Sequence, residues 1–198
     1  MEFEIGNEKV FLDFVKSISK KDKIAILSHN DNDGIVAGLL MERVINKLGF
    51  KTESIDFLDI KEGMLDQFFV KFKKNKISKI FISDIAIDSI DLKAFEKLKK
   101  IFSVLLIDHH VSNPKMKDFS GVIKAKDGYC CGYMVYRFGE RVCDMEDSKL
   151  LASTSIIADM AYKTKECFHF VKKEYPNFIP EKIGESAPGH LSREISSS

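Results

Sequence analysis

The sequence predicts an α/β fold, a doubly wound and mostly parallel sheet with flanking helices and further helices toward the C-terminus. Short apolar runs of buried-strand type alternate with amphipathic helical patterns through the first half of the chain, which is typical of a parallel sheet. Several of these runs end in Asp or His, and parallel sheets bind ligands outside the carboxyl ends of their strands. The 198 residues, 44% of them hydrophobic, are enough for one core.

The alternation can be followed element by element as far as residue 107. Helices are indicated by apolar residues at helical spacing, such as Phe11, Phe14 and Ile18, and strands by short apolar runs such as residues 24–27. The predicted order is a helix at 7–20, a strand at 23–28, a helix at 35–48, a strand at 52–58, a helix at 63–73, a strand at 79–83, a helix at 89–100 and a strand at 102–107.

The alternation weakens after Pro114. One more short strand is predicted at 121–125, followed by helices at 131–138, 145–162 and 166–175. The segment from residue 176 holds three prolines and several small residues, which favours a flexible tail. We therefore expect one domain over residues 1–175 and a flexible tail over 176–198.

Charge and cysteine content narrow the classes of protein. The net charge is only +1, from 31 basic and 30 acidic side chains, which argues against an obligate nucleic-acid coat protein but leaves room for a local basic groove. The four cysteines form no Cys-x-x-Cys pair and no secretory signal opens the chain, so reduced thiols in the cytoplasm are expected. No apolar run approaches the ~20 residues that span a bilayer, so no membrane partner is expected.

The first cluster of ionisable residues follows the predicted strand at 23–28. His29, Asp31 and Asp33 stand at alternate positions, and alternate side chains of an extended segment point the same way. Two carboxylates that face one point repel each other unless a cation neutralises them. The alternative is a loop that uses Asn and Asp as ordinary turn residues.

Three further carboxylates follow predicted strands or interrupt an apolar helix. Asp84 follows the strand at 79–83, Asp108 precedes two histidines after the strand at 102–107, and Asp159 lies in an apolar helical stretch. Since the carboxyl ends of parallel strands meet at one edge of the sheet, these side chains can converge with the first cluster. The alternatives are a helix N-cap for Asp84, a turn cap for Asp108 and a solvent-facing helix end for Asp159.

Together these residues resemble the four motifs of the DHH phosphoesterase superfamily over roughly residues 22–165. The compact first motif is similar to that of RecJ-type single-strand exonucleases and their archaeal relatives, whereas other branches of the superfamily usually carry an Asn-Pro-Asp element there. The residues that carry the resemblance are His29-x-Asp31-x-Asp33-Gly34, then Asp84, then Asp108-His109-His110, then Ala158-Asp159.

The resemblance implies a two-metal mechanism with two divalent cations, Mn²⁺ preferred and Mg²⁺ as the alternative. It implies that Asp84 bridges the two cations. Asp31 and Asp159, together with His29, would hold one cation. Asp33 and His109 would hold the other.

The resemblance also implies catalytic roles for the remaining two residues of the third motif. His110 would face the phosphate, bind substrate and stabilise the developing charge. Asp108 would orient a histidine rather than bind a cation directly.

Further candidates for substrate binding surround the segment at 128–132. Lys124, Lys126 and Arg137 flank this loop, which enters a helix whose first backbone amides can hold a phosphate. Tyr129 can stack on a base. The alternative is an ordinary connecting loop with solvated lysines.

The resemblance predicts an exonuclease-like phosphodiesterase that hydrolyses single-stranded DNA or RNA, with replication or repair proteins as further partners. One alternative is a phosphatase for pyrophosphate, short oligonucleotides or cyclic dinucleotides, and another is a non-catalytic replication scaffold with a DHH core. The second domain of the family, with its Gly-Gly-Gly-His motif, is expected to be absent, because Ala187-Pro188-Gly189-His190 is only a faint echo of it. We therefore expect a core that binds its cations but holds a long substrate weakly.

Overall fold

The computed structural model describes residues 1–59 and 61–197, and within them six strands form one sheet. The strands are β1 (Phe3–Ile5), β2 (Ile24–Ser28), β3 (Thr52–Phe57), β4 (Lys79–Ser83), β5 (Ser103–Asp108) and β6 (Val122–Ala125). Their spatial order is β1-β6-β5-β4-β2-β3, and every neighbouring pair is parallel except β1 with β6. The predicted doubly wound, mostly parallel sheet is confirmed.

Helices connect these strands and continue beyond the last one. They are α1 (Glu8–Lys16), α2 (Asn32–Lys47), α3 (Met64–Lys74), α4 (Ile87–Ile90), α5 (Leu92–Ile101), α6 (Cys131–Gly139), α7 (Lys149–Ala158), α8 (Lys165–Glu174) and α9 (Ala187–Ser196). Short 3-10 turns occur at Pro114–Asp118, Glu146–Ser148, Ala161–Lys163 and Pro180–Glu185.

The sheet separates two layers of apolar packing. All five residues of β2 are buried, and successive side chains of a strand point to opposite faces. Ile24 and Ile26 join the apolar cluster of α1, α2, α6, α7 and α8, whereas Ala25 and Leu27 join the cluster of α3, α4 and α5. Because the central strands are covered on both faces, their carboxyl ends are the parts of them left near the surface.

Several predicted boundaries differ from the structure for local reasons. β1 is too short to produce a strand pattern, and α2 begins at Asn32 rather than at residue 35. The predicted helix at 89–100 is divided at Asp91, whose side chain accepts a hydrogen bond from the Ala94 amide at 3.0 Å and so caps α5. The predicted helix at 145–162 is interrupted at Met160, which has a left-handed backbone with φ +53°.

Residues 176–197 differ from the flexible tail that the sequence predicts, and Ser198 lies outside the described residues. The segment contains a 3-10 turn and helix α9, which packs against α7 and α2. Pro180 and Pro188 stand in the first turns of these two elements, where a missing N–H removes no helical hydrogen bond. The position of the prolines, rather than their number, decides the local structure.

None of the helices in residues 1–59 and 61–197 combines the length and the apolar character needed to cross a membrane.

Candidate metal centre

The ionisable residues meet at the carboxyl edge of the three central strands. His29 follows β2, Asp84 follows β4, and Asp108 ends β5, with His109 and His110 directly after it. Since β2, β4 and β5 are adjacent and parallel, their ends share one edge of the sheet. Asp159 reaches the same place from the C-terminal end of α7.

Asp31 and Asp33 stand at the start of α2 and not in an extended segment. Asp31 caps the helix by accepting from the Gly34 amide at 2.9 Å. Asp33 lies in the first turn, fully buried, and accepts from the amides of Cys131 at 2.7 Å and Gly132 at 2.8 Å and from the Ser155 hydroxyl at 2.5 Å. The alternation predicted for these two side chains is therefore wrong, although both still reach the cluster.

The glycine of the first motif has a steric cause. A Cβ atom on Gly34 would lie 2.4 Å from the His29 carbonyl oxygen, closer than real Cβ atoms approach any atom. A side chain there would push the start of α2 away from the end of β2. Glycine thus keeps Asp31 and Asp33 close to His29.

The site residues form three groups that share Asp84, and the third consists of Asp84, Asp108 and His110. In the first group, His29 Nδ1 lies 2.9 Å from Asp31 Oδ2 and 3.8 Å from Asp84 Oδ2. In the second group, one ligand atom from each of Asp33, Asp84, His109 and Cys131 lies within 4.8 Å of the others. Two ligands of one cation, each about 2.1–2.3 Å from it, are separated by no more than about 4.6 Å. The separations from His29 Nδ1 to Asp31 and Asp84, 2.9 and 3.8 Å, and from His109 Nε2 to Asp84 and Asp33, 3.1 and 3.9 Å, lie within that limit.

His109 joins three carboxylates in the second group. Its Nε2 atom lies 3.1 Å from Asp84 Oδ1, 3.1 Å from Asp159 Oδ2 and 3.9 Å from Asp33 Oδ2. Asp159 therefore stands beside His109, whereas the sequence-based partition places it with His29 and Asp31.

Electrostatic repulsion is severe in the shared position. Burial and the charges of Asp33 and Asp31 raise the pKa of Asp84, which is only 2% exposed, to about 12. Burial and the charge of Asp33 raise the pKa of Asp159 to about 7, and burial raises the pKa of Asp33. Asp84 also has a left-handed backbone, with φ +57°, a strained conformation typical of functional sites.

Three buried polar atoms in this cluster lack a hydrogen bond. They are Nδ1 of His29, Oδ2 of Asp84 and Oδ2 of Asp159. Buried polar groups in native proteins are nearly always paired, and each unpaired one costs about 1–3 kcal/mol. Oxygen and imidazole nitrogen atoms are ligands that suit Mn²⁺, so these residues fit divalent cations. A cavity of about 590 Å³, lined by Asp31, Asp159 and Ser196 among others, opens beside them.

A second set of buried charges lies next to the metal cluster. Asp108 accepts from His110 Nδ1 at 2.7 Å through one oxygen and from Lys124 Nζ at 2.6 Å through the other. Lys124 also donates to Asp88 at 2.8 Å, and Asp88 accepts from the Asn113 amide at 2.7 Å. Burial opposes ionisation of Asp108, but the hydrogen bond from His110 and the Lys124 ammonium together lower its pKa.

The predicted substrate residues other than His110 lie apart from the cluster. Lys126 pairs with Glu2 at 2.7 Å, the Tyr129 hydroxyl lies 3.5 Å from a Glu166 oxygen, and Arg137 pairs with Glu140 at 2.9 Å. Lys126 and Tyr129 line a separate cavity of about 560 Å³, and Arg137 lines a third of about 370 Å³. Their part in substrate binding stays a prediction.

The start of α6 and Lys124 differ from their sequence-based interpretation. The amides of Cys131 and Gly132, which the sequence offers to a phosphate, bind the Asp33 carboxylate instead. Lys124 is buried and ion-paired rather than solvated.

Sequence reasoning missed Ser155 and Asp88 and gave Lys124 and Cys131 a different role, and two of these four residues carried a signal. Ser155 stands four residues before Asp159, on the same face of α7. Lys124 is a charged residue inside an apolar strand, which is unusual without a partner. Cys131 and Asp88 carry no comparable signal, because only the fold brings them to the cluster.

Comparisons with known proteins agree with this architecture. A family model described as the N-terminal domain of the DHH family matches residues 23–179. A search of the curated proteins found no significant match.

Among solved structures, the chain resembles an exonuclease RecJ bound to manganese (TM-score 0.71, 15% identity, 97% of this chain and 55% of that one). It also resembles an exopolyphosphatase-related protein from Bacteroides fragilis (0.62, 15%, 96% and 60%) and CDC45 from Entamoeba histolytica (0.60, 13%, 85% and 37%). At these identities the likeness shows the fold alone. The chain spans between 37% and 60% of the length of these three proteins.

Proposed function

The chain belongs to the DHH family, and from that membership and the cluster at the sheet edge we propose that it is a metal-dependent phosphoesterase. The proposed substrate is single-stranded DNA or RNA, cleaved in the manner of a RecJ-like exonuclease. The observation that carries the proposal is the set of buried ligand atoms on His29, Asp84 and Asp159 that have no hydrogen bond. A protein without a bound cation has little reason to keep such atoms unpaired.

Two Mn²⁺ ions, or Mg²⁺ in their place, are the proposed cofactors. His29 and Asp31 would hold one, Asp33, His109 and Asp159 the other, and Asp84 would contribute to both. Bound divalent cations neutralise phosphoryl oxygens and activate water for attack. The sharing of Asp84 between the two groups is consistent with its predicted bridging role.

His110 is the side chain proposed to act on the substrate. It is 43% exposed, and Asp108 engages its Nδ1 atom, which leaves Nε2 to face a phosphate. A positioned imidazole donor stabilises negative charge that develops on a phosphoryl oxygen. Asp108, which is fully buried, acts through His110 rather than on the substrate.

The test compares substrates and metals in one assay. Labelled single-stranded DNA, single-stranded RNA, pyrophosphate and a cyclic dinucleotide are each incubated with the chain in Mn²⁺, Mg²⁺ or EDTA. We expect Mn²⁺-dependent release of mononucleotides from single strands, lost in Asp84→Asn. Cleavage of pyrophosphate or the cyclic dinucleotide alone would establish the small-molecule alternative. Metal binding without any hydrolysis would favour the scaffold alternative.

Weak substrate binding is expected, because the predicted substrate residues other than His110 lie apart from the metal cluster. The proposed ligands lie before residue 160, so metal binding needs nothing beyond it, but long strands are positioned by contacts remote from the reacting phosphate. We expect slow, poorly processive cleavage that falls steeply with salt. Exonuclease turnover as a function of salt, with and without an added substrate-binding domain or replication or repair partner, checks this. Fast processive digestion by the chain alone would contradict it.

A further inference from the structure

We propose that Lys124 is a positioning residue for this reaction, which holds Asp108 and through it fixes the orientation of the His110 imidazole. The proposal rests on the proposed function. It assigns a role to a buried charge that the metal cluster does not use.

Lys124 lies in an environment that is energetically unfavourable for a charged side chain. Its side chain lies in β6 with no exposed surface, and its Nζ atom is 2.6 Å from Asp108 and 2.8 Å from Asp88, whose carboxylates are equally buried. Removing each buried ion from water is unfavourable, and apolar residues of similar volume are often at least as stabilising. Stability alone is therefore a weak reason for a lysine in this strand.

The ammonium acts on the imidazole through one carboxylate. Asp108 uses one oxygen for Lys124 and the other for His110, whose Nδ1 atom lies 2.7 Å away. A carboxylate bonded to one nitrogen of a histidine sets both its tautomer and its ring orientation. Lys124 holds that carboxylate in place, so Nδ1 of His110 keeps a hydrogen and Nε2 points outward, where the imidazolium form donates its second hydrogen to the phosphate.

The second arm of Lys124 secures the backbone that carries His110. Asp88, in α4, accepts from Lys124 through one oxygen and from the Asn113 amide through the other. The segment between Asp108 and Asn113 is thus tied at both ends to the same ammonium. This arrangement restricts the movement of both the side chain and the backbone of His110.

Lys124 is distinct from the other lysines of the sheet. Among residues 1–59 and 61–197, it is the one ion-paired lysine whose side chain and partners are all fully buried. Lys79, at the amino end of β4, is also buried but donates to the Ser17 hydroxyl at 2.8 Å. Lys79→Met is therefore a matched control for a methionine in a buried lysine position far from the site.

The experiment is a double-mutant cycle between Lys124 and His110 in Mn²⁺, on whichever substrate the wild-type chain hydrolyses. Lys124→Met should lower kcat about 10- to 100-fold, the range for residues that orient a site through another group, with little change in KM. Mn²⁺ affinity, measured by calorimetry, should change less than about threefold. Lys124→Met combined with His110→Ala should be no slower than His110→Ala alone. Additive losses, or an equal loss in Lys79→Met, would overturn the proposal.

Two further measurements keep the outcome unambiguous. Should Lys124→Met not fold, Asp88→Asn removes one arm of the network and enters the same cycle. The ¹⁵N signals of the His110 imidazole, identified by their loss in His110→Ala, report which nitrogen carries hydrogen without any turnover. We expect a hydrogen-bonded Nδ1–H in the wild-type chain and its loss in Lys124→Met, and an unchanged signal would contradict the role. A chain that shows this change but hydrolyses nothing would refute the proposed function and leave the orienting role intact.

Discussion

Two clusters of buried carboxylates stand side by side at the same edge of the sheet, and they differ in what neutralises them. In one cluster, Asp88 and Asp108 share the ammonium of Lys124, and the pKa of Asp108 lies below its usual value. In the other, Asp84 and Asp159 each have a buried oxygen without a hydrogen bond, and their pKa values are raised to about 12 and about 7.

The difference separates carboxylates that a lysine of the chain neutralises from carboxylates that repel one another. Carboxylates at similar depth ionise easily when the chain supplies the cation, and resist ionisation when it does not. Each cluster also contacts one histidine. His110 bonds to Asp108, which Lys124 neutralises, whereas His109 contacts Asp84, which no lysine neutralises. We infer that the first cluster is complete as folded and that the second is built for cations from solution.

The largest effects that test this difference between the clusters are expected when one carboxylate in each cluster is neutralised. Asp84→Asn removes repulsion, so the metal-free chain should melt at the same or a higher temperature, whereas Asp88→Asn should lower it. Mn²⁺ at 100-fold over Kd stabilises a folded protein by about 2.7 kcal/mol, or several degrees, and Asp84→Asn should lose this response entirely. Thermal melts of the wild-type chain and of both variants, each with and without Mn²⁺, give the six melting temperatures.

The controls for this experiment lie in the same two variants. Asp88→Asn should keep most of the Mn²⁺ shift, since Asp88 is not among the proposed ligands. A normal Mn²⁺ shift in Asp84→Asn would remove the bridging assignment.

Substitution of each histidine tests whether the two clusters differ in their contributions to metal binding and to turnover. His109→Ala should weaken Mn²⁺ binding, because Nε2 lies within 3.1 Å of both Asp84 and Asp159. His110→Ala should spare Mn²⁺ and lower kcat by roughly 10²- to 10⁴-fold, as for a group that acts in the transition state. Calorimetry and steady-state kinetics on both variants check the division, and equal loss of metal in the two would show it to be wrong.

The first motif shows which features of the site could be predicted from the sequence and which could not. The residue types and the strand ends were enough to predict the sheet and to place Asp84 and His109 at one edge. The orientation of Asp31 and Asp33 could not be predicted, because Asn32 begins a helix and the amides that bind Asp33 come from α6, nearly a hundred residues later. Local pattern gives no information on contacts of that separation.

The Lys124–Asp108 pair is a second contact that local sequence pattern could not predict. Asp108 was predicted to orient a histidine, but its counterion Lys124 was interpreted as a substrate-binding residue beside the segment at 128–132 or as a solvated lysine. Only the pairing of β5 with β6, which sets Asp108 opposite Lys124, reveals the ion pair.

The two clusters should also respond to pH with opposite signs in the metal-free chain. The folded-state pKa values of Asp84 and Asp159 are raised, so their stabilising effect is present below about pH 4 and is lost as the pH rises, through about 7 for Asp159 and toward 12 for Asp84. Asp108, whose pKa is lowered, loses its contribution only as the solution becomes acidic.

Each raised group can change the free energy of unfolding by at most about 1.4 kcal/mol per pH unit. Chemical denaturation between pH 5 and 8 in EDTA should therefore show falling stability, and Mn²⁺ should reduce the slope because the cation replaces the protons. A metal-free stability that rises steadily over this range would contradict the raised pKa values.

Residues outside both clusters should give the smallest effects. Tyr129→Ala should raise KM for single strands. The increase should correspond to no more than the ~1–3 kcal/mol of binding free energy that one stacked base provides, and the Mn²⁺ response should be unchanged. Lys126→Gln should do less, because Glu2 already neutralises Lys126. Steady-state kinetics on single-stranded DNA measure both. A loss of Mn²⁺ binding in either variant would place that residue nearer to the metal centre than its contacts indicate.

The most direct test of the central claim is a count of bound Mn²⁺. Calorimetry or electron paramagnetic resonance, performed on the metal-free chain at neutral pH, gives the number of tightly bound ions. We predict two for the wild-type chain and two for Lys124→Met, with tight binding lost in Asp84→Asn. No tight binding by the wild-type chain, or the same count in Asp84→Asn, would contradict the claim that the unpaired cluster is a metal centre.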